Sequence, residues 1–231
     1  MTTPPSTNRA AAIDTLIKAL KAGGSWTKRD GIWVFWAADT QAANLNWKST
    51  SYPYATNGTM SFTANQGYTG NGVNASGSFG ISFTILTQFQ RNSASAGVWS
   101  LTDGMADTFD LGFSAGGDNF RMISRNTLDS ISTRINMTST TTSSGVGTGV
   151  GYAMMNRSGA TAVQTYKNGV QVDSSTVAST ALNPNDLVTH CDKAANFSSR
   201  TLAIVTIGGS LTADEALAEY NALAAYMASA P

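Results

Sequence analysis

The stretch A-V-Q-T-Y-K-N-G-V-Q-V-D-S-S, from Ala162 to Ser175, decides how the fold is read. It divides into two short runs joined by Asn168-Gly169. A two-residue type I′ turn needs φ > 0 at both central positions, and Asn followed by Gly tolerates this best. Before the turn Val163, Thr165 and Lys167 alternate with Gln164 and Tyr166; after it Val170 and Val172 alternate with Gln171 and Asp173. Alternation on both arms predicts a hairpin in a sheet with one face buried and one face wet.

Working outward, short runs of the same kind recur. Ile32–Trp36 is dense in β-formers, Met60 and Phe62 alternate, and Phe79, Ile81, Phe83 and Ile85 give a long period-two run. Val98–Leu101, Phe109–Phe113, Phe120–Ser124, Ile131–Met137, the run opening at Val150, Leu187–Cys191 and Leu202–Ile207 follow. Strands about ten residues apart, with polar turns between them, predict an all-β, antiparallel two-sheet sandwich of roughly ten strands. Thr138–Gly149 is low-complexity and reads as a flexible connector; its glycines, two apart, match neither a dinucleotide-binding loop nor a P-loop.

Two helices bracket this region. Ile13, Leu16, Ile17 and Leu20 share one stripe, with Gly23-Gly24 as a stop, so a helix over 9–22 is expected to pack on its own domain. Thr212 with Glu215 forms a capping box that opens a helix over 212–229, whose stripe is Leu217, Tyr220, Leu223 or Ala224, and Met227. Asp39 reads as the N-cap of a brief helix carrying Ala42, Ala43 and Leu45. The expected organisation is a flexible arm over 1–8 and a single domain over 9–231.

Composition bounds the function. In 231 residues hydrophobic types make up 42% and charged types only 12%, with 14 basic and 14 acidic residues cancelling. There is core enough for one large domain, but no clustered basic stripe for neutralising phosphates, so no nucleic-acid partner is expected. The lone cysteine, Cys191, excludes an intrachain disulfide and a Cys-rich metal cluster. No run reaches the ~18 apolar residues of a membrane helix, so no membrane partner is expected. The opening residues lack the apolar core of a general secretory signal, which predicts a chain made in a cytoplasm.

Candidate chemistry is sparse. The only glutamates, Glu215 and Glu219, lie four apart on the closing helix and read as a solvated helix face. Asp103, Asp107 and Asp110 form the densest acidic cluster; hard cations take oxygen ligands, but this spacing matches no defined loop, and a structural role is expected. His190 and Cys191 adjoin in a predicted strand, where neighbours face opposite ways, so a dyad between them is not expected. Four tryptophans between Trp26 and Trp47 could stack on sugars, but their apolar setting reads as core. The residues designate no catalytic, metal or cofactor-binding position.

Several blocks together resemble the concanavalin A-like lectin/glucanase superfamily, particularly laminin-G-like jelly-roll domains of bacteriophage structural proteins. They are I-D-T-L-I-K-A-L (13–20), D-G-I-W-V-F-W-A-A-D-T-Q-A-A-N-L-N-W (30–47), F-T-A-N-Q-G-Y-T-G-N-G (62–72), T-Y-K-N-G-V-Q-V-D (165–173) and R-T-L-A-I-V-T-I-G-G-S-L-T-A-D-E-A (200–216). The resemblance implies two curved sheets with both helices covering an edge or end. Glucanases of the superfamily carry an E-x-D-x-x-E strand, and here no glutamate precedes Glu215. The implied function is a non-enzymatic virion structural protein, a capsid decoration, fibre or tail-associated subunit, partnered by other virion proteins and by copies of itself. The alternative is a carbohydrate-binding adhesin that recognises a host-surface glycan.

Overall fold

The computed structural model describes residues 4–229. Fifteen strands and three α-helices follow one another in chain order. Helix α1 (Thr7–Ala22) leads into β1 (Arg29–Val34), the single turn α2 (Thr40–Ala43), β2 (Ala55–Asn57), β3 (Ser61–Thr63), β4 (Gly67–Thr69) and β5 (Ser76–Ser82). Next come β6 (Ala94–Ser100), β7 (Leu111–Phe113), β8 (Phe120–Ile123), β9 (Ser132–Ile135) and β10 (Thr141–Thr142). The chain closes with β11 (Gly151–Arg157), β12 (Ala162–Lys167), β13 (Val170–Thr176), β14 (Asp186–Thr189), β15 (Thr201–Gly208) and α3 (Ala213–Ser229).

Every pairing between these strands is antiparallel. One sheet runs β13-β12-β11-β6-β15-β4-β3 with β1 added beside β15, and the other runs β10-β9-β8-β7-β14-β5-β2. The expected two-sheet sandwich with terminal helices is therefore the observed architecture. Its core is aromatic: Trp33, Phe35, Tyr54, Phe79, Phe83 and Phe113 lie buried between the sheets. Trp33 and Phe79 meet at 4.2 Å between ring centroids, and Phe83 stacks on Phe89 at 4.6 Å.

The central strands of the eight-stranded sheet are buried on both faces. In β1 and β15, Trp33, Val205 and Ile207 face the other sheet, while Ile32, Val34 and Ile204 face the helices. Helix α1 starts where Ser6 Oγ accepts the Arg9 N–H at 3.3 Å, and α3 where Thr212 Oγ1 accepts the Glu215 N–H at 3.2 Å. Glu215 returns the bond to the Thr212 N–H at 2.8 Å, so the capping box forms as the sequence predicts. Together α1 and α3 roof one face of the sandwich; among the described residues no α-helix covers the seven-stranded sheet.

The structure moves several expected boundaries. Helix α1 begins at Thr7, inside the stretch read as an arm; Pro4, Pro5 and Ser6 line a recess of about 380 Å³ with Ile13, Ile17 and Trp47, and residues 1–3 lie outside the described residues. The period-two run at Phe79 stops at Ser82, whose hydroxyl accepts the Thr84 N–H and turns Phe83–Ile85 into a 3₁₀ turn. The strand expected through Cys191 ends at Thr189, because His190 takes a left-handed backbone (φ 62°). The connector at 138–149 holds β10, and Asp129 and Asp103 accept the N–H groups of Gly147 and Gly149.

The largest correction concerns α3. Its buried positions are Ala216, Glu219, Ala222, Leu223 and Tyr226, whereas Leu217 is 43% exposed. Glu219, read as solvated, is 1% exposed and paired with a fully buried Arg29 from β1. Arg29 Nε donates to Glu219 Oε2 at 2.8 Å and its Nη2 to Oε1, while Nη1 donates to Ser95 Oγ at 2.5 Å. The Tyr152 hydroxyl donates to Glu219 Oε1 at 2.8 Å and lies 2.6 Å from the Thr206 hydroxyl. Gly97 makes room for Tyr152, since a Cβ there would sit 2.2 Å from the phenol oxygen. Burial works against the Arg29 charge, but Glu219 beside it outweighs that and holds its pKa above the ordinary value.

Removing one member of such a pair strands the other in a dry interior, at a cost of about 3–5 kcal/mol. Glu219→Ala should therefore lower the urea-unfolding free energy by about that amount, whereas Arg29→Met with Glu219→Leu should return it to within about 1 kcal/mol of the parent.

Candidate recognition groove

The hairpin over 162–175 has its predicted turn: Asn168 and Gly169 have φ of 51° and 77°. Asn168 Oδ1 accepts the Tyr152 N–H at 2.8 Å, which ties the turn to β11. Gly169 lies under α3, where a Cβ would come within 2.9 Å of Leu217. The arms are not equivalent. Val163, Thr165 and Lys167 are buried toward the other sheet, and Tyr166 is also buried, on the helix side. Strand β13 lies at the sheet edge, with Val170 61% exposed.

Between this hairpin and the start of α3 lies a groove of about 370 Å³. Gln164, Tyr166 and Gln171 from the hairpin form one wall, and Leu211, Thr212 and Ala213 form the other. The far wall is pinned by Asn156, whose Oδ1 accepts the Leu211 N–H at 2.9 Å and whose Nδ2 donates to the Leu211 carbonyl at 3.1 Å. Asn156 Nδ2 also donates to Gln164 Oε1 at 2.9 Å, so one buried amide sets the spacing of both walls. Lys28 at the rim is neutralised by Glu215 at 2.6 Å.

The groove keeps hydrogen-bonding capacity in reserve. Tyr166 is 3% exposed, yet its hydroxyl has no hydrogen-bond partner among the described residues. Burial raises its pKa, so it remains a neutral phenol able to donate and accept at neutral pH. The Gln164 carbonyl is engaged while its amide N–H groups are not, and no hydrogen bond holds the Gln171 side chain among the described residues. Paired amides, a phenol and hydroxyls beside an aromatic ring form an uncharged mixed donor and acceptor surface, the kind of surface a ring of hydroxyl groups can match.

The residues singled out from sequence do not come together into a catalytic set. Asp103 accepts from Arg125 and from the Gly149 N–H at 2.8 Å; Asp107 accepts the Thr127 N–H and hydroxyl at 3.1 and 2.8 Å. Asp110 turns inward to Arg200 at 3.3 Å and accepts the Ser124 N–H at 2.7 Å. The Arg200 guanidinium also donates to the carbonyls of Gly104, Ala106, Thr108 and Arg125 at 2.5–3.1 Å. The acidic loop thus wraps a guanidinium, which takes the carbonyl oxygens a hard cation would need. No cluster of three or more His, Cys, Asp or Glu side chains able to hold a metal occurs among the described residues.

His190 is fully buried, its ring nitrogens 2.9 Å from the Thr189 hydroxyl and 3.1 Å from the Arg200 carbonyl. Burial lowers its pKa to about 4. Burial raises the Cys191 thiol instead, so neither side chain is activated by the other. Of the four clustered tryptophans Trp33 is buried between the sheets, and Trp26, Trp36 and Trp47 are half-buried against the helix-side core. No helix among the described residues is long and apolar enough to cross a membrane.

No family model matches the chain, and no curated protein matches its sequence. Solved structures do share the fold. Domain 4 of an extracellular arabinanase from Geobacillus stearothermophilus, solved with arabinotriose, matches with a TM-score of 0.61 at 13% identity, covering 84% of this chain and 98% of that one. The receptor-binding domain of botulinum neurotoxin D matches with a TM-score of 0.62 at 8% identity, covering 85% of this chain and 53% of that one. A sialidase from Trypanosoma rangeli, solved with the inhibitor DANA, gives 0.59 at 10% identity, over 91% of this chain and 37% of that one. The chain thus spans nearly all of the arabinanase domain but only about half of the toxin domain and a third of the sialidase.

The chain has a single histidine, so its titration can be followed without assignment. With a folded pKa near 4 against about 6.5 unfolded, the unfolded state binds more protons in that window, so stability is complete above pH 6.5 and falls as pH drops toward 4, by about 3 kcal/mol. A one-dimensional NMR titration should find the imidazole C2 proton unshifted from pH 8 to pH 5.5, whereas a midpoint near 6.5 would place the ring in water.

Proposed function

We propose that this chain is a non-enzymatic recognition protein that binds a host-surface glycan in the Tyr166 groove, as a surface component of a bacteriophage virion. The observation that carries the reading is a buried tyrosine whose hydroxyl is unspent, facing a groove with unspent amides and no net charge. A sugar in the groove would exchange hydrogen bonds with the Tyr166 hydroxyl, Gln164, Gln171 and Thr212. Binding needs no metal here, because each of these partners is neutral and can hydrogen-bond hydroxyls directly.

Two further observations support the reading. The fold is shared with an arabinanase domain solved with a trisaccharide and with a toxin domain described as receptor-binding. The candidate acids and the histidine are each spent on structural partners. The virion setting is supported by the sequence blocks that resemble phage jelly-roll domains and by the charge-poor surface. In that setting the partners are other capsid or tail proteins, and the chain acts as a homo-oligomer on the particle.

A glycan array with the isolated protein should identify a neutral sugar, and Tyr166→Phe should weaken that binding about 3- to 10-fold, the worth of one net hydrogen bond. An array without binding, with or without calcium, sinks the glycan reading. Mass spectrometry of purified particles should find the chain, and its absence there removes the virion setting.

A further inference from the structure

A second constellation lies on the far side of the sandwich, on the seven-stranded sheet. The register of β8 and β9 places Arg121 directly opposite Arg134. Their strand neighbours Phe120, Met122, Thr133 and Ile135 point into the core, so both arginines stand on the outer face. Like charges directly opposite each other across a sheet are unfavourable, by roughly 0.2–1 kcal/mol. A pair of this kind breaks the local rule for a stable sheet, and such breaks concentrate at functional sites.

The neighbouring acids relieve the pair only in part. Asp118 Oδ1 lies 3.8 Å from Arg134 Nη1 and is shared with Lys193. Asp192 Oδ2 is 4.0 Å from Arg121 Nη1, beyond hydrogen-bond reach, while its Oδ1 accepts the Phe113 N–H at 3.1 Å. Three cations thus face two carboxylates. Burial lowers the Arg134 pKa, and the adjacent Arg121 lowers it further.

Arg121 is held ready. Its guanidinium carbon sits 5.1 Å from the centroid of the Phe109 ring, and its side chain is 24% exposed. None of its N–H groups makes a hydrogen bond among the described residues. Arg134, by contrast, spends Nε on Thr140 Oγ1 and Nη1 on the Asp118 carbonyl, each at 2.8 Å, and keeps Nη2. Beside them a depression of about 130 Å³ is lined by Phe109, Arg121, Ile123, Ser132 and Thr140. That volume holds a single functional group but not a sugar ring, given a share of about 30 Å³ per water.

We infer that the cross-strand pair Arg121–Arg134 is an anion site that takes the carboxylate of a sugar acid. Arg121, fixed on the Phe109 ring, presents its planar fork to both carboxylate oxygens, and Arg134 on the adjacent strand adds positive charge beside it. A planar two-oxygen acceptor matches the two parallel donors of the fork, and the Ser132 and Thr140 hydroxyls line the same depression. One bound monoanion also matches the single surplus positive charge. The site shares no residue with the Tyr166 groove and stands or falls independently of it; only the choice of a sugar as carrier rests on the glycan reading.

The test uses the full chain and the side-chain Nε–Hε signals of its arginines in ¹⁵N NMR. Sodium glucuronate should shift the Arg121 and Arg134 signals saturably, with a Kd of about 1–10 mM, while glucose leaves them in place. Arg121→Gln and Arg134→Gln should each weaken that binding about tenfold or more. At low salt Arg121→Gln should also keep or slightly raise the melting temperature, since it removes a like-charge contact and breaks no hydrogen bond. No saturable shift with glucuronate overturns the site, and equal shifts with sulfate reduce it to general counter-ion screening and overturn the carboxylate assignment. A tighter response to an aspartate-rich peptide than to glucuronate overturns the sugar-acid assignment in favour of a protein partner. A melting temperature several degrees lower in both variants would make the pair a structural element and overturn the inference. Loss of glycan binding in Tyr166→Phe with an intact glucuronate response, or the reverse, separates the two sites.

Discussion

The Arg29–Glu219 pair beneath α3 is the constraint on which the rest of the molecule depends. Both side chains are out of water, and Ser95, Tyr152 and Thr206 complete their hydrogen bonding. An ion pair of this kind contributes little net stability, because desolvation offsets the attraction. It acts through geometry instead. A helix that slid by one residue along the sheet would carry Glu219 away from Arg29 and leave two buried charges unmet. That penalty fixes the register of α3, which places Leu217 over the Asn168-Gly169 turn and Leu211–Ala213 across from Gln164 and Tyr166. The helix register is thus set by a contact on its concealed side, and Asn156 then fixes the spacing of the groove walls.

The same reasoning separates what is legible in sequence from what is not. Local rules are readable where both partners are near each other: the Asn-Gly turn, the Asp39 and Thr212 caps, and the shared face of Ile131, Thr133, Ile135 and Met137 all depend on residues within a few positions. The two sheets and their terminal helices follow from such rules. Glu219 could not be read this way, because two glutamates four apart look solvated unless Arg29, 190 residues earlier, is known to lie beneath them. The apolar stripe of α3 was displaced for that reason. His190 ends its strand through a left-handed backbone that no local pattern announces.

The candidate sites divide along the same line. Tyr166 stands out in sequence as a residue beside the turn, but an unspent hydroxyl is visible only once every neighbour has been placed. Opposition of Arg121 and Arg134 depends wholly on the register of β8 and β9, which the intervening loop sets and no periodicity encodes. The acidic loop at Asp103–Asp110 has the structural role expected of it. Its composition suits a cation, and it has one, but the cation is the guanidinium of Arg200 from a distant strand end.

That substitution is general in this protein and bears on how its few charges should be read. Arg157 donates to the carbonyls of Ile135, Gly159, Ala160 and Val177 at 2.8–3.3 Å, and Arg200 to four more. Each is buried, and each draws together loop carbonyls that strand pairing does not satisfy. In a chain with 12% charged residues and one cysteine no intrachain disulfide can close the long loops, and the buried Arg157 and Arg200 serve as clamps. Against that pattern Arg121 departs on every count: it lies on an open sheet face, holds no carbonyl, rests on an aromatic ring and faces a second arginine. Unlike Arg157 and Arg200, Arg121 closes no loop, and its N–H groups have no hydrogen-bond partner among the described residues.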